Sequence, residues 1–276
     1  MSAAADGRRW AVVLGASAGS GEAIASSLAL DPGLHVFGVH RGNHPRGAAA
    51  LEEKIRASGR RVALHLGDAG TYEGSRECAA VLEEAAGPRS VAFLVHSLSG
   101  ASLGHFLPGR TDSFHPKQFA KTFDYLAHSF AWWTQVMVER DLLAPGARLL
   151  GLTNSLHDSL LHNTGLIAAA KGALQMYVRQ LAMELGPLGH RVNLLKFSTV
   201  ATPALEAVLG VSAMARLEEA HREMIPAGRM VTLEEVGHMV SVLAREETSW
   251  FNGAMIDYTG GMALRLLDLV LRPEEE

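Results

Sequence analysis

Short apolar runs alternate with longer amphipathic segments along the whole 276-residue chain. Trp10–Leu14, Leu34–Val39, Arg61–Leu66, Val91–Val95, Arg148–Leu152, Arg191–Leu195 and Ala254–Tyr258 read as strands. Gly21–Leu30, Pro45–Ser58, Tyr72–Ala86, Pro116–Leu142, Gly165–Leu185 and Leu233–Glu246 read as helices, the last opened by a capping box of Thr232 and Glu235. Strands separated by helices argue for a parallel sheet with helices on both faces, because parallel neighbours need crossovers that bury an apolar stripe on the sheet. With no linker, repeat or low-complexity stretch, one doubly wound α/β domain of about seven strands is expected over residues 1–276. Only residues 201–230 break the alternation, being helical and rich in Met and Ala. They form either a small helical lid over the carboxyl ends of the strands, where ligands bind in such folds, or a surface hairpin.

Composition narrows the classes. With 48% apolar and 20% charged residues the chain buries a core and is not disordered. A net charge of −4 without a basic stripe gives nucleic acid no footprint. Cys78 is the single cysteine, so no internal disulfide forms, which agrees with a reducing cytoplasm. The first nine residues carry Asp6, Arg8 and Arg9 and lack the apolar core of a signal peptide, and no run is long enough to span a membrane. The histidines are scattered without ligand spacing, so no metal site is expected.

The chemistry begins at Gly15-Ala16-Ser17-Ala18-Gly19-Ser20-Gly21, between the first strand and the first helix. A strand that turns sharply into a helix while its amides approach a pyrophosphate needs glycines, since side chains would block the approach. Gly15, Ser17, Gly19, Ser20 and Gly21 are therefore expected to hold a dinucleotide. The second strand ends in Val39-His40-Arg41, where an acid would bind a ribose diol but a guanidinium suits a 2′-phosphate. Arg41 thus favours NADPH, with NADH the alternative, unless it is a solvated loop residue.

The Gly-x-x-x-Gly-x-Gly spacing resembles the short-chain dehydrogenase/reductase pattern, with Leu14 replacing the usual threonine. Asp68, in Leu66-Gly67-Asp68, matches that family's adenine-contacting aspartate, although it could equally cap a helix. Phe93-Leu94-Val95-His96-Ser97-Leu98 is similar to the Val-His-Ser segment of bacterial enoyl-acyl-carrier-protein reductases. So are Phe119–Tyr125 with Ser129-Phe130, Met183–Asn193, Pro226–Gly237 and Asp257–Gly261, and the likeness spans residues 9–263. It implies a Rossmann-type fold, His96 and Ser97 at the cofactor, and an acyl thioester substrate on acyl carrier protein or coenzyme A.

Within that resemblance the catalytic pattern is broken. Lys171, in Ala168-Ala169-Ala170-Lys171-Gly172, fits the family's lysine, which steers the nicotinamide ribose. The tyrosine that ordinary members place four residues earlier is Ile167, and the one that enoyl reductases place seven earlier is Thr164. Asn154 occupies the second active-site position, and Tyr125 that of the usual asparagine. Val200 and Thr202 match positions that hold the nicotinamide carboxamide, in a turn that has lost its Pro-Gly.

A ketone reduced by hydride becomes an alkoxide that needs an acid beside it, whereas an enoyl thioester becomes an enolate that needs donors to its oxygen. Tyr125, Thr164 and Asn154 are the candidate donors beside Lys171, Tyr125 foremost, unless it is core packing. The loop residues His157 and His162 either relay protons or face solvent. An NAD(P)H-dependent enoyl-thioester reductase is the leading expectation. The alternatives are a catalytically silent NAD(P)-binding homologue acting as sensor or partner subunit, and then a ketoreductase. The resemblance implies a homotetramer joined through Pro116–Leu142 and Gly165–Leu185, and the apolar run Phe130-Ala131-Trp132-Trp133 with Val136 and Met137, which exceeds what a one-sided helix needs, is either a buried subunit interface or the core of a monomer.

Overall fold

The computed structural model describes residues 9–109, 112–155, 162–262 and 264. In chain order these form β1 Arg9–Leu14, α1 Gly19–Leu28, β2 Leu34–His40, α2 Pro45–Ala57, β3 Val62–Leu66, α3 Tyr72–Ala86 and β4 Val91–His96. There follow α4 Pro116–Phe123, a π-helical stretch Asp124–His128, α5 Ser129–Glu139, β5 Leu143–Asn154 and α6 Gly165–Leu185. The last part holds β6 Arg191–Phe197, α7 Pro203–Met224, α8 Leu233–Leu243 and β7 Met255–Tyr258. The seven strands form one sheet in the order β3-β2-β1-β4-β5-β6-β7, and every pairing is parallel.

Side chains leave successive strand residues on opposite faces, so β1 feeds two cores. Trp10, Val12 and Leu14 join Phe130, Trp133, Met137, Leu174 and Val178 under α3, α5 and α6. Ala11 and Val13 join Ile24, Leu28, Leu51, Ile55, Val236 and Val240 under α1, α2 and α8. The order reverses at β1, which β2 flanks on one side and β4 on the other, so a crevice opens at their carboxyl ends.

The helix expected over residues 116–142 divides in two. The π-helical stretch interrupts it, and the second part stops at Glu139, where Asp141 turns with a positive φ of 50° and the chain enters β5 early, at Leu143. The apolar surplus on that helix also belongs to the chain itself. Phe130, Trp133, Val136 and Met137 are buried in the sheet core, and the Trp133 indole donates to Ala69 O at 3.0 Å. The surplus therefore does not require a second subunit.

The predicted capping box at α8 is present. Thr232 Oγ1 accepts from Glu235 N at 3.2 Å, and Glu235 accepts from Thr232 N at 2.9 Å. Bonds from Arg229, chiefly, hold the Glu235 carboxyl down to about 2. Residues 201–230 are mostly the helix α7, bent at Gly210 with φ 71°. Among the described residues no helix is long and apolar enough to cross a membrane.

Candidate active site

The glycine loop is wedged where β1 meets β4. Gly15 takes φ +90°, and a Cβ there would lie 2.4 Å from Ser97 O. A Cβ on Gly21 would lie 1.9 Å from Gly15 O, so neither position admits a side chain. Ala18, at the cap of α1, has no side-chain oxygen to satisfy the helix's first amides. Those amides and the positive end of α1 are the usual partners of a pyrophosphate.

Of the residues expected at a dinucleotide, Gly15, Ser17, Gly19, Ser20, Gly21, Arg41, Asp68, Ser97 and Thr202 line one cavity of about 220 Å³. Asn43, His44, Leu98, Ser99 and Tyr125 line it too. Asn43 and His44 had a readable signal, since they follow Arg41 in the same turn. Thr202 closes the far side by capping α7, accepting from Leu205 N at 3.2 Å. Its methyl sits 3.5 Å from where Gly19 would carry a Cβ. A backbone cradle, a helix start and one arginine in a single cleft fit a phosphorylated dinucleotide.

Val200 does not line this cleft. It is buried and borders a second cavity of about 380 Å³ with Ala201 and with Glu218 and Arg222 of α7.

Tyr125 sits at the Arg41 end of the cleft. Its hydroxyl donates to Asp68 Oδ2 and accepts from Arg41 Nη1 at 3.0 Å. The Arg41 guanidinium also stands 4.8 Å above the ring. Burial first, and then the bond to Asp68, push the phenol above its ordinary pKa. The one phenolic proton is committed to Asp68, which changes how the expected proton donor must be read.

Lys171 lies deeper. It is buried on α6, and its Nζ donates to Leu152 O at 2.7 Å, two residues before Asn154 at the end of β5. Burial lowers its pKa to about 8. Thr164, also buried, starts the same helix. Lys171 thus ties α6 to the last part of β5, with Asn154 the final residue of that strand and Thr164 the residue that precedes the helix.

His96 stands beside them, in register with Leu14 of β1 and Gly151 of β5. Its Nε2 is 2.7 Å from Ser129 Oγ, whose proton is directed at Tyr125 O at 3.2 Å. Its Nδ1 is buried without a hydrogen-bond partner. Burial, reinforced by the Lys171 charge, lowers its pKa to about 3, so the ring is neutral. Nothing in the sequence marked Ser129 as its partner.

Of the two loop histidines, His157 lies outside the described residues. His162 packs edge-on to His105 with ring centroids 4.7 Å apart, and His105 Nε2 is 3.3 Å from Asp112 Oδ2. Next to them Phe106, Phe114 and Phe119 pack edge-to-face. The Phe106 ring lies 2.8 Å from where Gly165 would carry a Cβ, so this apolar wall adjoins the start of α6.

Residues 15–263 match the family described as enoyl-(acyl carrier protein) reductase. An NADH-dependent enoyl-acyl-carrier-protein reductase of Synechocystis is 31% identical over 169 residues, covering 61% of this chain and 63% of the relative. A dehydrogenase of Cochliobolus heterostrophus is 31% identical over 124 residues, covering 45% of this chain and 53% of the relative. The chain therefore spans between about half and two thirds of the length of these curated relatives. Among solved structures, a short-chain dehydrogenase of Burkholderia cenocepacia in complex with NADP superposes with a TM-score of 0.77 at 25% identity, covering 93% of this chain and 98% of that one.

Proposed function

We propose, from the premise that the chain belongs to the enoyl-(acyl carrier protein) reductase family of short-chain dehydrogenases/reductases, that it reduces the carbon–carbon double bond of an enoyl thioester with NADPH. Family members are NAD(P)-dependent oxidoreductases, and a nicotinamide cofactor suits the cleft described above. The observation that carries the finer reading is the pairing of a buried Lys171 with Ile167 and Thr164, where a phenolic acid would otherwise stand.

When bound, the nicotinamide supplies the hydride. The chain's own residues do the rest. Gly15, Ser17, Gly19, Ser20 and Gly21 would seat the pyrophosphate and Arg41 the 2′-phosphate, while His96, Ser97 and Thr202 would border the nicotinamide half and Val200, on the separate cavity, takes no part. Lys171 orients the ribose and sets a positive charge near the thioester oxygen, whose enolate charge needs donors more than an immediate proton. Thr164 and Asn154 are the side-chain donors assigned to that oxygen. Tyr125 is assigned to the adenosine end instead, because its hydroxyl already serves Asp68. The Phe106–Phe114–Phe119 wall gives the acyl chain an apolar surface beside Thr164. The kinked α7 serves as a lid within a single domain. Assembly as a homotetramer rests on what stays exposed on α6, Met176 and Met183.

Oxidation of NADPH, followed by absorbance, tests the reading with crotonyl and longer enoyl thioesters of coenzyme A and acyl carrier protein, beside the matching ketoacyl thioesters. Turnover confined to the enoyl series is expected. Turnover confined to ketones makes the protein a ketoreductase, and tight binding without any oxidation makes it a silent homologue.

A further inference from the structure

We infer that Tyr125 positions the residue that sets cofactor preference: its hydroxyl stands between Arg41 and Asp68, keeping the guanidinium off the carboxylate and available to a 2′-phosphate. The inference rests on the reading of the cleft given above and goes beyond it, since it concerns what holds Arg41 in place.

Three residues far apart in sequence carry the argument. Arg41 Nη1 donates to the phenol oxygen at 3.0 Å, and the phenol in turn donates to Asp68 Oδ2. The other carboxylate oxygen, Oδ1, accepts from Gly70 N at 3.0 Å, so Asp68 is fixed on both sides. All three side chains line the same cavity. Opposite charges thus face each other across one neutral hydroxyl, which bonds to both.

The slot for the ring is built. Gly70 and Gly100 flank it, and a Cβ on either would come within 2.5 Å or 2.3 Å of its atoms. Tyr125 also lies in the π-helical stretch, and single-turn π segments of this kind recur at functional sites.

Removing the hydroxyl leaves a guanidinium and a carboxylate with nothing between them. The two would pair directly, as their charges dictate. A 2′-phosphate must then break that pair, whereas the uncharged ribose diol of NADH faces no such competition. Tyr125→Phe keeps the ring in its glycine slot and should raise the Kd of NADPH at least tenfold while that of NADH changes less than twofold, in line with the strength of a hydrogen bond to a charged group.

The test is a calorimetric titration of the full chain and its variants with NADPH, NADH, adenosine 2′,5′-bisphosphate and adenosine 5′-monophosphate. The expected result is a selective loss of the two 2′-phosphorylated ligands in Y125F, recovered by adding D68N, which removes the competing carboxylate. Equal loss of all four ligands assigns Tyr125 a merely structural role and overturns the inference. A Y125F selectivity matching the unmodified chain overturns it as well. Arg41→Ala separates the two levels. If R41A leaves NADPH binding intact, the cleft reading itself fails; if R41A loses it and Y125F does not, only this inference fails. Should Y125F not fold, D68N alone answers: its NADPH-over-NADH ratio should hold or rise, and a tenfold fall contradicts the inference.

Discussion

Replacing Lys171 with methionine separates what this residue does for catalysis from what it does to the fold. The ammonium is buried, it donates one hydrogen bond to Leu152 O, and burial alone accounts for its lowered pKa. A folded-state value of about 8 against 10.5 for an open chain corresponds to about 3 kcal/mol favouring the unfolded state at pH 7. Methionine fills a similar volume without charge. Loss of the bond to Leu152 O offsets about 1–2 kcal/mol of the gain, so K171M should be more stable at pH 7 by about 1–2 kcal/mol. Between pH 8 and 10.5 the unfolded chain holds the proton that the folded one has released, so wild-type stability rises with pH across this window. The methionine variant lacks that rise, and its advantage should vanish near pH 10. Urea unfolding of both proteins at pH 7 and pH 10 measures the gap, and turnover of K171M should be abolished at either pH. A variant less stable than wild type by the same amount at both pH values would refute the reasoning, because the lysine would then be packing rather than a desolvated charge.

Arg41→Glu should weaken NADPH by about 1.5–3 kcal/mol, the range of a charge-assisted hydrogen bond, and affect NADH less; equal loss in a binding titration contradicts the 2′-phosphate assignment. Sedimentation at micromolar concentration should show a homotetramer, and Met183→Glu should weaken it. A wild-type monomer rejects the assembly.

Much of the fold was legible because each strand is a short apolar run and each crossover helix carries its own stripe. The sheet appears with the seven expected strands, shifted by a few residues at their ends. The largest shift, at β5, has a physical source: Leu143–Ala147 carries Pro145 and Gly146, which read as a turn, yet the segment opens the strand. The glycine loop was legible because its conformation excludes side chains, and Lys171 because a lysine among alanines has no solvated face to explain it.

What the sequence could not convey was which distant residues meet. Arg41, Asp68 and Tyr125 converge only because β2, the loop after β3 and the π-helical stretch end at one crevice. Ser129 beside His96 was hidden for the same reason. An apolar helix face also does not say whether its partner is the chain's own sheet or another subunit, and for Phe130, Trp133 and Met137 it is the sheet.

The central claim is that hydride reaches the β-carbon of an enoyl thioester although no tyrosine stands at Ile167 or Thr164. The direct measurement uses NADPH deuterated at the transferred position, crotonyl thioester as acceptor, and mass spectrometry with NMR of the product. The expected product is a saturated butyryl thioester with one deuterium at its β-carbon. A crotonyl thioester recovered unreduced and unlabelled, while a ketoacyl thioester gains deuterium at its carbinol carbon, would contradict it.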